Sequence, residues 1–348
     1  MTNQNLTQWF SKNGITAARF RKYWSILPVF PTATRTISII ICLVDWSNAM
    51  EEKPRSLSRF QRWVMAARPK TLTAAISPVL LGWSIALSTS RFHFGAALAA
   101  LVTAVFIQIA TNLVNDVVDF YKGADTAERA GPTRVTETGL LTPQQVWTGV
   151  VVSFGAAALA GVYLYWVAGW PVLVLGAASI LAGIAYTAGP YPLAYNGLGD
   201  LFVLLFFGYV AVGGTVFVTA GAFPPIAWYG GTAAGALTVN ILVVNNIRDI
   251  ESDRKAGRKN LPVVFGRWAA VWQYGILLVV AYLVPLILIF QQLTSPWVLL
   301  SFLTIPQAVK LLQVLRSGQS GASLNPTLGQ TAQLLLRYCI LLAIGLLL

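Results

Sequence analysis

Nine stretches of this 348-residue chain stay apolar over a length that can cross a membrane, and nothing else in the sequence limits its fold as strongly. They fall at about 71–90, 94–118, 146–167, 170–187, 198–220, 226–247, 268–291, 296–315 and 330–348. Crossing ~30 Å of hydrocarbon takes about 20 helical residues. Lipid offers no hydrogen bonds, so a segment satisfied within itself is a helix. The expectation is an all-α polytopic membrane protein, with about nine transmembrane helices around a central cavity. Only short Gly/Pro turns separate 146–167 from 170–187 and 198–220 from 226–247, so the count could shift by one. Composition agrees: 56% of residues are hydrophobic and 10% charged, where globular domains carry roughly 25% charge.

The net charge of +12 is not spread evenly. Lys53, Arg55, Arg59, Arg62, Arg68 and Lys70 precede the first span; Lys122, Arg129 and Arg134 follow the second. Arg248, Arg254, Lys255, Arg258, Lys259 and Arg267 lie between the sixth and seventh, and Lys310 and Arg316 toward the last loop. The alternate loops hold little beyond Arg91. Basic loops stay on the cytoplasmic side, which puts the N-terminus inside, the C-terminus outside, and the protein in the inner (plasma) membrane. No basic stripe is interleaved with aromatics on a soluble module, so nucleic acid is not an expected partner. The lipid bilayer is.

Cys42 and Cys339 make no framework, and His93, the single histidine, sits beside Arg91 in a short loop. Neither a thiol metal site nor a histidine base is indicated. Residues 1–59 read as an N-terminal extension to a membrane domain at 60–348. Residues 1–49 lack the pattern of a cleaved signal and are expected to be poorly ordered and dispensable, with Met50-Glu-Glu-Lys-Pro-Arg a plausible true start.

Two acidic segments stand at the ends of apolar spans. In Asn112-Leu-Val-Asn115-Asp116-Val-Val-Asp119, the residues Asn112, Asp116 and Asp119 share a helical face, and Asp125 follows closely. In Asn245-Asn246-Ile-Arg248-Asp249-Ile-Glu251-Ser-Asp253, the residues Asn245, Asp249 and Asp253 do the same. Acids at a helix C-terminus oppose its dipole, and carboxylates at a membrane rim are costly unless used. Each set is a stripe of oxygen ligands, and two facing stripes would repel unless hard cations and a polyanion lay between them. Mg²⁺ and a diphosphate fit. Lys122, Arg134 and Lys259, close behind the acids, are expected to meet phosphate oxygens. Asp200 is adequately explained as a helix-start carboxylate, whereas Arg337, inside the last span, is either a functional cation or one that snorkels to the interface. The two segments echo one another, each ending a span in Asn-x-x-x-Asp and running into a basic loop, as repeats in membrane proteins do.

These segments, with Arg68-Pro-Lys70-Thr-Leu-Thr, Tyr186-Thr-Ala-Gly-Pro-Tyr-Pro-Leu-Ala-Tyr195-Asn-Gly-Leu-Gly-Asp200 and Leu324-Asn-Pro326, resemble the UbiA superfamily of intramembrane aromatic prenyltransferases. Within it they are most like the 1,4-dihydroxy-2-naphthoate polyprenyltransferases of menaquinone synthesis, over roughly 60–348. The resemblance implies a Mg²⁺-dependent transfer of a polyprenyl chain from polyprenyl diphosphate to 1,4-dihydroxy-2-naphthoate, with CO₂ and diphosphate lost and demethylmenaquinone formed. It implies catalytic roles for Asp116, Asp249, Asp253 and Asn112, and metal ligands among Asp116, Asp119, Asp125, Asp249 and Asp253. Substrate contacts are implied for Arg68, Lys70, Lys122, Arg134, Tyr186, Asn245, Arg248 and Lys259. The superfamily's first motif usually carries Asp-x-x-x-Asp; here the acids fall at 116, 119 and 125, so either Asp119 or Asp125 is the further metal ligand of that motif.

Other acceptors remain open, including 4-hydroxybenzoate, homogentisate, a porphyrin precursor and phylloquinone-type phytyl transfer. An ion-coupled transporter is the rival from another class. It predicts acids near mid-membrane, or the two acidic segments on opposite faces.

Overall fold

The computed structural model describes residues 57–89, 91–123, 130–131 and 134–348. The expectations for residues 1–49 and Met50, and the site assignment of Asp125, lie outside them. The chain divides into two compact units, Met1–Met65 and Ala66–Leu348. In the first, Ser58 opens helix α1 (Arg59–Ala67), and its hydroxyl accepts from the Gln61 N–H at 3.3 Å while Gln61 Oε1 accepts from the Ser58 N–H at 2.8 Å. That reciprocal pair is a capping box.

The second unit is helical, with no strand among its described residues. Its helices are α2 (Pro69–Leu87), α3 (Phe94–Tyr121), α4 (Pro143–Ala168), α5 (Pro171–Ala185), α6 (Gly199–Ala220), α7 (Pro225–Arg248), α8 (Ile250–Lys255), α9 (Arg267–Phe290), α10 (Pro296–Arg316) and α11 (Gly321–Leu347). Eight of the described helices are long and apolar enough to cross a membrane. The ninth expected span, 170–187, forms only the 15-residue α5, about 22 Å at 1.5 Å per residue. Even so, α5 traverses the bundle. Val172 at its start packs with Ala96, Leu164 and Val218, and Thr187, just past its end, hydrogen-bonds Asn115 near the other end of α3. Tyr186 keeps helical backbone angles, and the exposed Gly189-Pro190 turn follows it.

α2 and α7 form the centre. In each, 67% of the residues in the apolar stretch are buried, against 22% in α4. Both are rich in Ala, Gly, Ser and Thr, and in lipid small residues let helix backbones approach closely. α7 and α6 approach closely: a Cβ on Gly208 would lie 2.5 Å from the Gly231 carbonyl oxygen and 3.1 Å from the Gly235 Cα. Around this seam Leu81, Ile85, Val212, Val216, Leu237, Val244, Leu334 and Tyr338 make one continuous core. It fixes α3 and α7, whose ends carry the acids.

Candidate active site: two acidic helix ends joined through arginines

Asp116 and Asp119 lie in the last turns of α3 and are buried; Asp249 caps α7 and Asp253 sits in α8, also buried. Each carboxylate is met by an arginine. The Arg134 guanidinium reaches Asp119 Oδ2 at 2.6 Å and also donates to the Asn115 carbonyl. Arg248 clasps Asp249 through Nε (2.8 Å to Oδ1) and Nη2 (2.6 Å to Oδ2). Arg68 stands 3.8 Å from Asp116, whose two oxygens also accept the backbone N–H groups of Val135 (3.2 Å) and Thr136 (3.1 Å). Arg258 does something different. Its Nη2 is 3.4 Å from Asp119 Oδ2 and its Nη1 3.2 Å from Asp253 Oδ1, so one guanidinium bridges the first motif to the second.

The bridge rests on a loop that sequence reasoning quoted without assigning a role. Tyr195 offers one ring to two cations, with Lys122 Nζ and the Arg258 guanidinium each 4.6 Å from its centroid. Its hydroxyl is 3.4 Å from Asp119 Oδ1. Lys122 Nζ also donates to the Thr187 carbonyl at 2.6 Å, and the Lys259 N–H donates to the Tyr195 carbonyl at 2.9 Å. This contact needs Gly197: its φ is +75°, and a Cβ there would stand 2.9 Å from the Lys259 carbonyl oxygen. Asn260 fixes the second motif from the other side, donating to Asp253 Oδ2 at 2.6 Å while its own Oδ1 caps the next turn at Val263.

The remaining expected residues divide by what they touch. Asn112 is committed to positioning helices: its amide donates to the Ala67 carbonyl (3.0 Å) and Thr71 Oγ1 (2.9 Å), and Gln108 donates to its oxygen. Asn245 accepts from Arg248, which also donates to Asn325 Oδ1 at 3.1 Å; Asn325 in turn holds the Ala130 carbonyl. Arg248 and Asn325 therefore tie α7, the start of α11 and the loop after α3 together at the site. Arg68 has φ +53° immediately before Pro69. That backbone is strained by ~1–3 kcal/mol, and it carries the guanidinium that stands nearest Asp116 after the backbone donors. Lys70 is half-buried in the first turn of α2, and the Lys259 side chain is exposed. Tyr186 is half-buried just past the end of α5, and its carbonyl accepts from the Ala194 N–H at 3.0 Å. Its hydroxyl lies 3.4 Å from where a Cβ on Gly199 would be.

The charges are strongly coupled. Burial pushes the Asp253 carboxyl up to about 6; Arg258, Asn260 and Arg248 oppose this, and Asp249 reinforces it. Burial works against the charge on Arg258, but Asp253 and Asp119 more than offset it and hold the guanidinium above its ordinary range. Among the described residues no three acids are gathered closely enough to hold a metal by themselves; guanidinium groups stand between them. The donor set nevertheless fits a hard divalent cation. All the ligands are oxygens, and a positive charge already stands between one acid of each motif. Arg258 Nε is buried with no acceptor among the described residues, so the bridging cation keeps a free donor for an anion.

Residues 75–345 match the model of the UbiA prenyltransferase family. The chain belongs to that family. It is 34% identical over 285 residues to the 1,4-dihydroxy-2-naphthoate octaprenyltransferase of Escherichia coli, covering 80% of this chain and 92% of that protein. It is 35% identical over 287 residues to the protein of the same name from Mycobacterium tuberculosis, covering 82% and 97%. The fold is similar to that of a UbiA homologue from Archaeoglobus fulgidus bound to GPP and Mg²⁺, with a TM-score of 0.59, 18% identity, and coverage of 81% of this chain and 99% of that one. As a UbiA member with eight spanning helices among its described residues, it is an integral membrane protein.

Proposed function

We propose that this enzyme transfers a polyprenyl chain from polyprenyl diphosphate to 1,4-dihydroxy-2-naphthoate, releasing diphosphate and CO₂ and giving demethylmenaquinol, the reduced form of demethylmenaquinone. The observation that carries the reading is the single guanidinium of Arg258 shared by Asp119 of one motif and Asp253 of the other. Two acidic helix ends that meet on one cation can serve one diphosphate. The naphthoate acceptor is supported by the shared name of the Escherichia coli and Mycobacterium tuberculosis relatives, each about a third identical over most of both chains.

In this reading Asp116, Asp119, Asp249 and Asp253 would hold Mg²⁺, with Asp125 as the further acid of the first motif. Mg²⁺, when bound, supplies the Lewis acid that makes diphosphate a leaving group. Arg68, Lys70, Lys122, Arg134 and Lys259 bind diphosphate oxygens and steady the charge that gathers there as the allylic C–O bond breaks. The electron pair of that bond leaves with the diphosphate. The face of Tyr186 shields the allylic carbon from water, since an aromatic ring tolerates positive charge without attacking it. The electron-rich naphthoate ring forms the new C–C bond at the carbon bearing its carboxylate; the C–CO₂ bond then breaks and returns its electron pair to the ring. No covalent enzyme intermediate is required. By the charge of its loops the site rim faces the cytoplasm, and the membrane is the inner one.

The acceptor is tested with the full chain in lipid nanodiscs, given Mg²⁺, a labelled polyprenyl diphosphate and, in turn, dihydroxynaphthoate, 4-hydroxybenzoate and homogentisate. Mass spectrometry should find prenylated product from dihydroxynaphthoate alone. Product from another acid in its place would overturn the acceptor, and product from none would overturn the transfer.

A further inference from the structure

Arg258 lies where two demands conflict. The carboxylates it bridges are those that the proposed function, on which this inference rests, gives to the metal, and a carboxylate oxygen bound to a guanidinium is not fully available to a cation. The guanidinium meets Asp119 and Asp253 with its two Nη atoms, rests on the Tyr195 ring, and leaves its Nε–H buried with no acceptor among the described residues. A buried donor left unpaired is destabilising. The bridge is therefore a compromise, adequate for holding the two acidic helix ends together and poor for Arg258 itself. Without such a charge, Asp253 would lose its counter-ion, Asp119 would keep only Arg134, and nothing would link the two acids across a gap from which water is largely excluded.

We propose that Arg258 is an internal counter-ion that competes with the divalent metal for Asp119 and Asp253. In the substrate-free protein it pairs with Asp253, shares Asp119 with Arg134, and keeps the motifs at binding distance. When metal and diphosphate arrive together, the guanidinium gives up the carboxylates and turns to a diphosphate oxygen, where Nε and Nη can donate side by side as guanidinium groups do to phosphate. The Tyr195 ring supports it in either position, because an aromatic face holds a cation without directional bonds, and the long 3.5 Å hydrogen bond from Nη2 to the Tyr195 hydroxyl is given up in the turn. The consequence is order: metal alone binds weakly because it must displace a resident charge, and metal with diphosphate binds well because the displaced charge gains an acceptor. Arg258 is thus a positioning residue that couples metal uptake to the arrival of substrate.

The test is Mn²⁺ binding by the purified full chain in detergent, read by electron paramagnetic resonance, with and without inorganic diphosphate. Wild type should bind Mn²⁺ weakly alone and much more tightly with diphosphate. Arg258→Gln should bind Mn²⁺ alone at least about tenfold more tightly than wild type, a change of ~1.4 kcal/mol, and should lose most of the enhancement by diphosphate. Arg258→Lys, which keeps the charge and is the fallback if the glutamine variant does not fold, should retain weak binding of Mn²⁺ alone and show a reduced enhancement. A residue that merely supported the site would give the opposite sign. Unchanged or weaker Mn²⁺ binding by Arg258→Gln, or wild-type enhancement in Arg258→Lys, would overturn the inference while leaving the metal site standing. Wild type binding no Mn²⁺ even with diphosphate would overturn the proposed function and this inference with it.

Discussion

At the scale of single residues the site is an exercise in keeping like charges together. Four carboxylates and four arginines stand together at one end of the bundle, so removing a carboxylate strands a guanidinium and, on the proposed function, also removes a metal ligand. Asp116→Ala and Asp249→Ala should each lower transfer by ~10²-fold or more while the protein still inserts in membranes at wild-type levels. Activity within a few-fold of wild type in both would contradict the metal assignment. Asp253 adds a pH dependence. Its carboxyl is raised above the ordinary aspartate value, to about 6, so it is ionised and able to take metal above that pH and gains a proton below it. In the substrate-free protein Mn²⁺ affinity should fall as pH is lowered through about 6. Asp253→Asn should bind more weakly throughout and lose that inflection; an affinity in wild type that stays flat from about pH 7.5 to about pH 5 would contradict it.

Much of this was legible in the sequence, because a charge beside an apolar run stands out. Asp116, Asp119, Asp249, Asp253 and Arg134 were readable from spacing alone, and the structure brings all of them to one end of the bundle. Tyr195 and Arg258 were not. Their roles depend on partners 76 and 139 positions away in Asp119, and no local pattern distinguishes Arg258 from Arg254, which lies on the exposed side of α8 paired with Glu251. Arg248 was readable as a member of the second motif with an expected substrate contact; the structure adds that its guanidinium bonds Asp249, Asn245 and Asn325.

At the scale of elements, the helix count is where length and topology part. Hydropathy marks nine apolar runs, and eight of the described helices reach spanning length. α5 is 15 residues long and a Gly189-Pro190 turn follows it, which hydropathy does not register as a helix end. The seam of α6 on α7 is the element most exposed to test. Gly208 faces the backbone at Gly231 and Gly235, so even a methyl group must move a helix rather than a side chain. Gly208→Ala should lower stability by ~1–3 kcal/mol, seen as a lower thermal midpoint in detergent, and should lower activity with it because α7 carries Asp249. A thermal midpoint equal to wild type would show that the two helices are not in close contact.

At the scale of the whole molecule, the charged loops and the acidic motifs belong to one end, and the account requires that end to face the cytoplasm. In a background without native cysteines, Lys259→Cys should be modified by an impermeant thiol reagent only after access from the cytoplasmic side, and Arg91→Cys only from the opposite side. Labelling of both from the same side would contradict the topology. The ion-coupled transporter is disfavoured by the same geometry, since both motifs share one guanidinium instead of lying on opposite faces or at mid-membrane. The central claim is a decarboxylative prenyl transfer at a divalent metal site, and its stoichiometry tests it most directly. With the purified chain, Mg²⁺, a polyprenyl diphosphate and dihydroxynaphthoate carrying ¹³C in its carboxyl group, the account predicts that labelled CO₂, diphosphate and prenylated naphthoquinol are released in equal amounts, and that chelating the metal stops all three. A prenylated product that keeps its ¹³C carboxyl group, or transfer that continues undiminished after chelation, would contradict it.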